Sequence, residues 1–247
     1  MGSAMKIDWC ISFDGERAKE FGFKFFNSLK QYSSLTDVTF HIVDRTYSVK
    51  EIIPEELLAI TSFYKIPTFL ELHGPDELDV AEYVLHDVAL TCDWMIENCG
   101  TSEWVIISHF DIEFTGDVLS WFREAVGDKV GMIGEHLPIM MVRRKAYRQC
   151  WMKFNSFSYF FYVPINDGSN EGKIRYVSDI RCTDKSMPVR GFDNGEMLEI
   201  NMQTRGWKFI PLDDKVKAQM VHFNGGSGWH NYDNFKKYRD ICKNEHT

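Results

Sequence analysis

The sequence predicts an α/β fold: a central mixed, mostly parallel sheet flanked by helices. Three observations carry that expectation. Strand-type and helix-period runs alternate along the chain, residues 103–108 form an almost unbroken apolar run, and short turns rather than long linkers separate the segments. An unbroken apolar run of that length is the pattern of a strand covered on both faces. A chain of 247 residues with 44% hydrophobic and 15% aromatic content can fill one large core. No internal repeat or low-complexity tract divides it, so a single domain over 5–247 is expected. Met1-Gly2-Ser3-Ala4, ahead of Met5, reads as an expression-tag scar in 1–4 and takes no part in the fold.

The elements follow in order. Ile7–Phe13 alternates as a strand does, and 18–29 then places Phe21, Phe25, Phe26 and Leu29 at helical spacing. After Ser33-Ser34, the β-branched and aromatic run 38–43 predicts a second strand ending at Asp44, which completes a βαβ unit. Pro54 and Pro67 interrupt the next stretch, which is less regular. Val80–Asn98 carries a long helical pattern stopped by Cys99-Gly100, where glycine can adopt the left-handed cap conformation. The strand at 103–108 then delivers His109-Phe110-Asp111-Ile112-Glu113.

Thr115 or Asp117 is expected to cap a helix running to about Val126, and Gly127-Asp128 to turn the chain into a strand at 130–133. Residues 138–142 form another apolar run, 143–152 a helix, 154–163 an aromatic-rich stretch and 166–172 a loop. Asp193 and Glu196 stand at capping-box spacing before a helix at 197–204, and 208–212 is a short strand.

Charge and composition exclude whole classes of function. A net charge of −8 removes the general attraction to phosphate backbones, so nucleic acid is not an expected partner. No run approaches the roughly 18 apolar residues of a membrane helix, and no basic-then-apolar signal pattern opens the chain. The six cysteines lack any close metal-type pairing and fit reduced thiols in a cytoplasmic protein.

Asp111 and Glu113 stand at i, i+2 just past a buried strand, the edge where open α/β sheets place their ligands. Two carboxylates held there are costly unless a positive group satisfies them, and Mg²⁺ or Mn²⁺ bridging a diphosphate would do so. The competing reading makes Asp111 the start of a turn and Glu113 a solvated side chain. Asp111-Ile112-Glu113 after 104–107 resembles the D-x-D motif of GT-A-fold glycosyltransferases of the family-2 type, with Glu in place of the second Asp.

Further segments extend that resemblance. The helical stretch from His86 to Asp93 resembles the segment that precedes D-x-D, and 23–29 running into 38–44 resembles the family's first helix and second strand. The resemblance implies a single GT-A-like (Rossmann-like) domain, a donor-binding half at about 5–113 and an acceptor-binding half at about 114–247. It implies that Asp14, Asp44 and Asp93 contact the donor nucleotide, and that Asp111, Glu113 and the late His222 hold Mn²⁺ or Mg²⁺. Trp229 would stack on the sugar or close over it, beside Gly225, Gly226 and Gly228, whose backbone could approach phosphate closely.

The segment from Phe192 to Leu198 resembles the late helix that approaches the acceptor, which makes Asp193 the first choice for the base and Glu196 the second; helix capping explains the same spacing without chemistry. His109 and His136 read as structural histidines, and Arg143-Arg144 either neutralise a diphosphate or are solvated. The implied activity is metal-dependent transfer of a sugar from a UDP- or dTDP-sugar to a glycan or other hydroxyl acceptor, with inversion. A retaining enzyme and a catalytically silent carbohydrate-binding module are the alternatives.

Overall fold

The computed structural model describes residues 5–13, 18–44, 49–66, 80–134, 138–151, 153–154 and 195–223. Its strands are β1 (Ile7–Phe13), β2 (Val38–Asp44), β3 (Thr61–Tyr64), β4 (Trp104–Ser108), β5 (Ile112–Phe114), β6 (Val130–Gly134), β7 (Ile139–Arg143), β8 (Lys208–Pro211) and β9 (Met220–His222). The helices are α1 (Ala18–Tyr32), α2 (Glu55–Leu58), α3 (Val80–Asn98), α4 (Val118–Glu124), α5 (Arg144–Gln149), α6 (Glu196–Thr204) and α7 (Asp214–Lys217), with a 3₁₀ turn at Val49–Ile52. Seven strands form one sheet in the order β3-β2-β1-β4-β7-β6-β8, while β5 and β9 pair separately. Within the large sheet β7 runs antiparallel to both β4 and β6, and the other pairings are parallel. The mixed, mostly parallel sheet expected from the sequence is the one found.

Both faces of the sheet are covered, which is why its central strands read as continuous apolar runs. In β1, Ile7, Trp9, Ile11 and Phe13 enter one core and Cys10 the other; in β4, Trp104 and Ile106 oppose Val105 and Ile107 in the same way. The first core is closed by α1, which buries Phe21, Phe25, Phe26 and Leu29 along one face. Each such side chain contributes on the order of 1.5–3 kcal/mol by leaving water. Gly22 allows this close approach, because a Cβ there would lie 2.6 Å from both the Phe13 ring and Ile52. The second core is closed by α3 through Met95 and Ile96, together with Tyr147, Leu198 and Met202. No helix among the described residues is long and apolar enough to cross a membrane.

Local signals explain most boundaries. Gly100, at φ 66°, follows the end of α3, and Asp117 caps α4 by accepting the Ser120 amide. The helix read at 143–152 spans Arg144–Gln149. Helix α6 begins at Glu196 behind Gly195, an N-cap at φ 94°, so Glu196 is the first helical residue. Asp193, the aromatic stretch at 155–163 and the loop at 166–172 lie outside the described residues.

Between the amino end of β1 and the middle of β2 the sheet encloses a polar group. Asp8, His41 and Arg144 are each at most 4% exposed. Asp8 accepts from the Ser102 amide at 2.8 Å, the Ser102 hydroxyl at 3.0 Å and Arg144 Nη2 at 2.9 Å, and lies 3.2 Å from His41 Nε2. Arg144 also donates to the carbonyls of Ser102 and Cys99, and His41 Nδ1 meets the Tyr64 hydroxyl at 3.0 Å. Burial alone would raise the Asp8 carboxyl, but the hydrogen bonds from His41, the Ser102 amide and Arg144 outweigh it and hold it below the usual carboxylate value.

Candidate metal centre

The strand order reverses between β1 and β4: the chain winds from β1 through β2 to β3 on one side, and β4 lies on the other. Ligands of open α/β sheets bind outside the carboxyl ends of the strands at such a switch point. Here that point is the end of β1 at Phe13 and the end of β4 at Ser108. Trp9 Nε1 donates to Ser108 Oγ at 2.8 Å and the His109 amide to the Pro138 carbonyl at 2.8 Å, so the chain leaves β4 along a fixed path.

The next residues place their side chains by burial. Phe110 is 5% exposed, its ring stacked on Phe13 at 5.0 Å and 25°. With Phe110 drawn into the core, its neighbours His109 and Asp111 share the other side of the chain. The chain then enters β5, where Ile112 is opposite His222 of β9, and the Phe223 amide donates to the Asp111 carbonyl at 2.9 Å. This antiparallel return brings a late histidine beside two residues of the β4–β5 turn.

Three potential ligand atoms converge there: Asp111 Oδ1 lies 3.2 Å from His222 Nε2 and 3.6 Å from His109 Nδ1, and the two ring nitrogens are 3.3 Å apart. Asp111 is 4% exposed, whereas the side chains of His109 and His222 are 34% and 24% exposed, so the group is rooted in protein and open on one side. Between two facing ring nitrogens only one proton fits, so in the neutral rings at least one presents a lone pair towards the others. The spacing fits a cation. Donor atoms about 2.1 Å from one ion are separated by roughly 3.0 Å at an octahedral right angle and 3.4 Å at a tetrahedral one. Two imidazoles and one carboxylate suit a first-row transition ion better than Mg²⁺, which prefers oxygen donors.

Of the residues read from the sequence, Asp111 and His222 are brought together here, joined by His109, which the sequence reading took as structural. Glu113 is not part of the convergent group. It lies on β5 between the buried Ile112 and Phe114, opposite Val221, and therefore faces away from the core. The i, i+2 pair at the strand end is thus His109-x-Asp111 rather than Asp111-x-Glu113. Asp44 sits at the same carboxyl edge, in register with Phe13, and its Oδ2 accepts the Val49 amide at 3.1 Å.

Asp93 lies elsewhere, nearer the C-terminal end of α3, roughly 7 Å from it along the helix axis. Its Oδ1 accepts from the Tyr147 hydroxyl at 2.8 Å and the Phe154 amide at 3.0 Å, bracing α5 and the chain beyond it against α3. Burial, with Asp93 alongside, pushes the Tyr147 hydroxyl far up, so it remains a donor. Asp14, Asp193 and Trp229, with Gly225, Gly226, Gly228 and His136, lie outside the described residues, as does the side chain of Glu196.

Arg143 and Arg144 stand at the opposite edge, since Arg143 is paired with Trp104 at the start of β4. Arg143 bonds Glu103 at 2.6 and 2.7 Å, with its guanidinium 5.5 Å from the Trp104 ring and 5.3 Å from that of Trp207; Arg144 belongs to the Asp8 group. Neither arginine adjoins the His109, Asp111 and His222 group.

The fold and this group define the class: an α/β domain with a mixed, mostly parallel sheet and a His-Asp-His group at its switch point. The chain is similar to the mannosyltransferase PcManGT from Pyrobaculum calidifontis, solved with GDP-Man and Mn²⁺, at 9% identity and a TM-score of 0.49 over 85% of this chain and 55% of that one. It is also similar to mouse xyloside xylosyltransferase 1 at 10% identity and a TM-score of 0.43, over 59% of this chain and 69% of that one. S. aureus TarS is similar at 10% identity and a TM-score of 0.41, over 59% of this chain and 49% of that one. The chain therefore spans about half the length of the mannosyltransferase, 55%. No protein-family profile matches the sequence, and no curated protein matches it.

Proposed function

We propose that this chain is a metal-dependent glycosyltransferase that moves a sugar from a nucleoside diphosphate donor to a hydroxyl of a glycan or glycosylated acceptor, with inversion. The observation that carries the reading is the convergence of His109 Nδ1, Asp111 Oδ1 and His222 Nε2 at the switch point of a mostly parallel sheet. His109, Asp111 and His222 hold the cation, Mn²⁺ in preference to Mg²⁺, and Glu113 stands outside the ligand set. When bound, the cation supplies Lewis-acid stabilisation of the charge that develops on the leaving diphosphate.

The remaining roles fall to the chain. Asp44, at the end of β2, and Asp14, just past the end of β1, contact the nucleoside across the crevice. Asp93 is left out of the donor contacts because its carboxylate braces Tyr147 and Phe154. Asp193 or Glu196, at the entry to α6, takes the proton of the acceptor hydroxyl as it attacks the anomeric carbon, and Trp229 covers the sugar. Residues 5–113 supply most of the donor side and 114–247 the acceptor side in one domain, with His222 returning to the donor side. The described cysteines Cys10, Cys92, Cys99 and Cys150 are buried and lack any close metal-type pairing in sequence, in keeping with a reducing compartment such as the cytoplasm.

Calorimetric titration of UDP, dTDP and GDP, each with and without Mn²⁺, tests the reading on the wild type and on Asp111→Ala, His109→Ala and Glu113→Ala. One nucleotide is expected to bind only with metal, to lose that binding in the first two variants and to keep it in the third. Binding of no nucleotide under any condition would remove the reading; loss in Glu113→Ala with retention in His109→Ala would restore the Asp111-x-Glu113 frame. With the donor known, proton NMR of the product's anomeric centre separates inversion from retention, and binding without turnover would favour a silent module.

A further inference from the structure

We propose that Phe223 is a positioning residue for the metal centre, a latch that fixes the end of β9 and with it the His222 imidazole; this rests on the metal reading above. Strand β9 is held at its start, where Met220 packs against the first core and the Gln219 carbonyl accepts the Thr115 amide at 2.8 Å, but its end at His222 has no such anchor within the strand. It comprises three residues paired with the three of β5, and none is buried: Val221 is 44% exposed, and Met220 and His222 are half-buried. A two-stranded ladder this short is marginal in water without packing against something larger. Its partner is well fixed, because Ile112 and Phe114 are buried and the Phe114 amide donates to Ser28 Oγ of α1 at 3.0 Å.

Phe223 fixes that end from the residue next to His222, in two ways. Its amide donates to the Asp111 carbonyl, extending the ladder to the residue that carries the central carboxylate. Its ring stacks on Phe21 of α1 at 5.0 Å and 30°, and Phe21 is itself 1% exposed. Lys24, one turn further along α1, places its ammonium 4.6 Å from the centroid of the Phe223 ring. The same contact set therefore ties α1, Asp111 and the end of β9 together. Ligand groups must be held within about 0.5 Å of their productive places, and losing a supporting contact of this kind typically weakens metal binding 10–100-fold.

The test is Mn²⁺ titration, by electron paramagnetic resonance, of the full chain as wild type, Phe223→Ala, Phe223→Leu, Phe223→Tyr and Met95→Ala. Met95 is 1% exposed in the other core, so its truncation lowers stability without touching β9. Phe223→Ala is expected to bind Mn²⁺ about 10–100-fold more weakly, Phe223→Tyr as the wild type does, and Phe223→Leu in between; if the alanine variant fails to fold, the leucine variant carries the test. Met95→Ala is expected to melt earlier with unchanged Mn²⁺ affinity. Wild-type affinity in Phe223→Ala, or an equal loss in Met95→Ala, would overturn the proposal. Absence of Mn²⁺ binding by the wild type would remove the metal reading itself and this proposal with it, and is read from the wild type alone.

Discussion

Two groups on the central sheet, one around Asp8 near the amino end of β1 and one around Asp111 past the carboxyl end of β4, each hold histidine and aspartate in buried or half-buried surroundings, yet they are built in opposite ways. At the amino end, Asp8 is surrounded by donors: the Ser102 amide and hydroxyl, Arg144 and His41. Its charge is answered inside the protein. At the carboxyl end, Asp111 Oδ1 meets two imidazole nitrogens that also face each other, in a group open on one side. A polar group closed by its own neighbours stabilises a fold, whereas ligand atoms converging on one open point could hold an ion. The same residue types thus meet in two arrangements, one closed around a carboxylate by an arginine and backbone donors, the other a carboxylate and two imidazoles open on one side.

The largest stability effect is expected at the amino end. Arg144→Met removes the guanidinium and leaves Asp8 buried without its main countercharge, which should cost about 3–5 kcal/mol in urea unfolding at pH 7. Adding Asp8→Asn should recover part of that loss, since the two changes remove one interaction rather than two. Full additivity would mean that the two residues do not act as a pair.

Gly100→Ala attacks the same group through the backbone. The residue has φ 66°, and a Cβ there would lie 2.3 Å from the Asp8 carboxylate, so strain and collision add. A loss of about 1–3 kcal/mol is expected, read as a lower melting temperature. An unchanged melting temperature would show that the Asp8 group yields easily, against its structural role.

The acid limb of stability should show a smaller, distinct signature. Because the folded-state pKa of Asp8 lies below its unfolded value, its contribution is complete above about pH 4 and is lost as pH falls through the folded value. Unfolding followed from pH 5 downward should therefore be steeper for the wild type than for Asp8→Asn, which lacks the titrating group. Parallel acid limbs would contradict the depressed carboxyl.

How much of this the sequence carried depends on whether an element's reason lies within itself. β1, α1, β2, α3 and β4 were legible because burial on two faces, or along one helical face, leaves a periodic pattern in consecutive residues. β3, β5 and β9 were not: four, three and three residues long, they are placed by their partners rather than by any pattern of their own. The candidate site divides the same way. Asp111 was legible as a carboxylate past a buried strand. His109 was not, because its partner His222 is 113 positions away and the residue that turns it outward is Phe110. Since β4 ends at Ser108, His109 and Asp111 flank the first inward anchor beyond the strand, a signal that a search for carboxylate pairs alone passes over. The surroundings of Asp93 were not legible for the same reason: its hydrogen bonds run to Tyr147 and Phe154, 54 and 61 positions away.

The smallest stability effect is expected at the carboxyl end, and it sharpens the contrast most. Asp111→Asn keeps the shape of the side chain and removes only its charge, within the group proposed to hold the cation. Without metal its stability should stay within about 1 kcal/mol of the wild type, or rise, as is common when a functional site is relieved of its strain. With Mn²⁺ at about 100 times its dissociation constant, the wild type should gain about 2.7 kcal/mol by mass action, and the variant almost none. Thermal unfolding of both proteins with and without Mn²⁺ reads the two numbers together. A large metal-free loss in Asp111→Asn would make the His109, Asp111 and His222 group structural, like its counterpart around Asp8. Equal stabilisation of both proteins by Mn²⁺ would place the ion elsewhere.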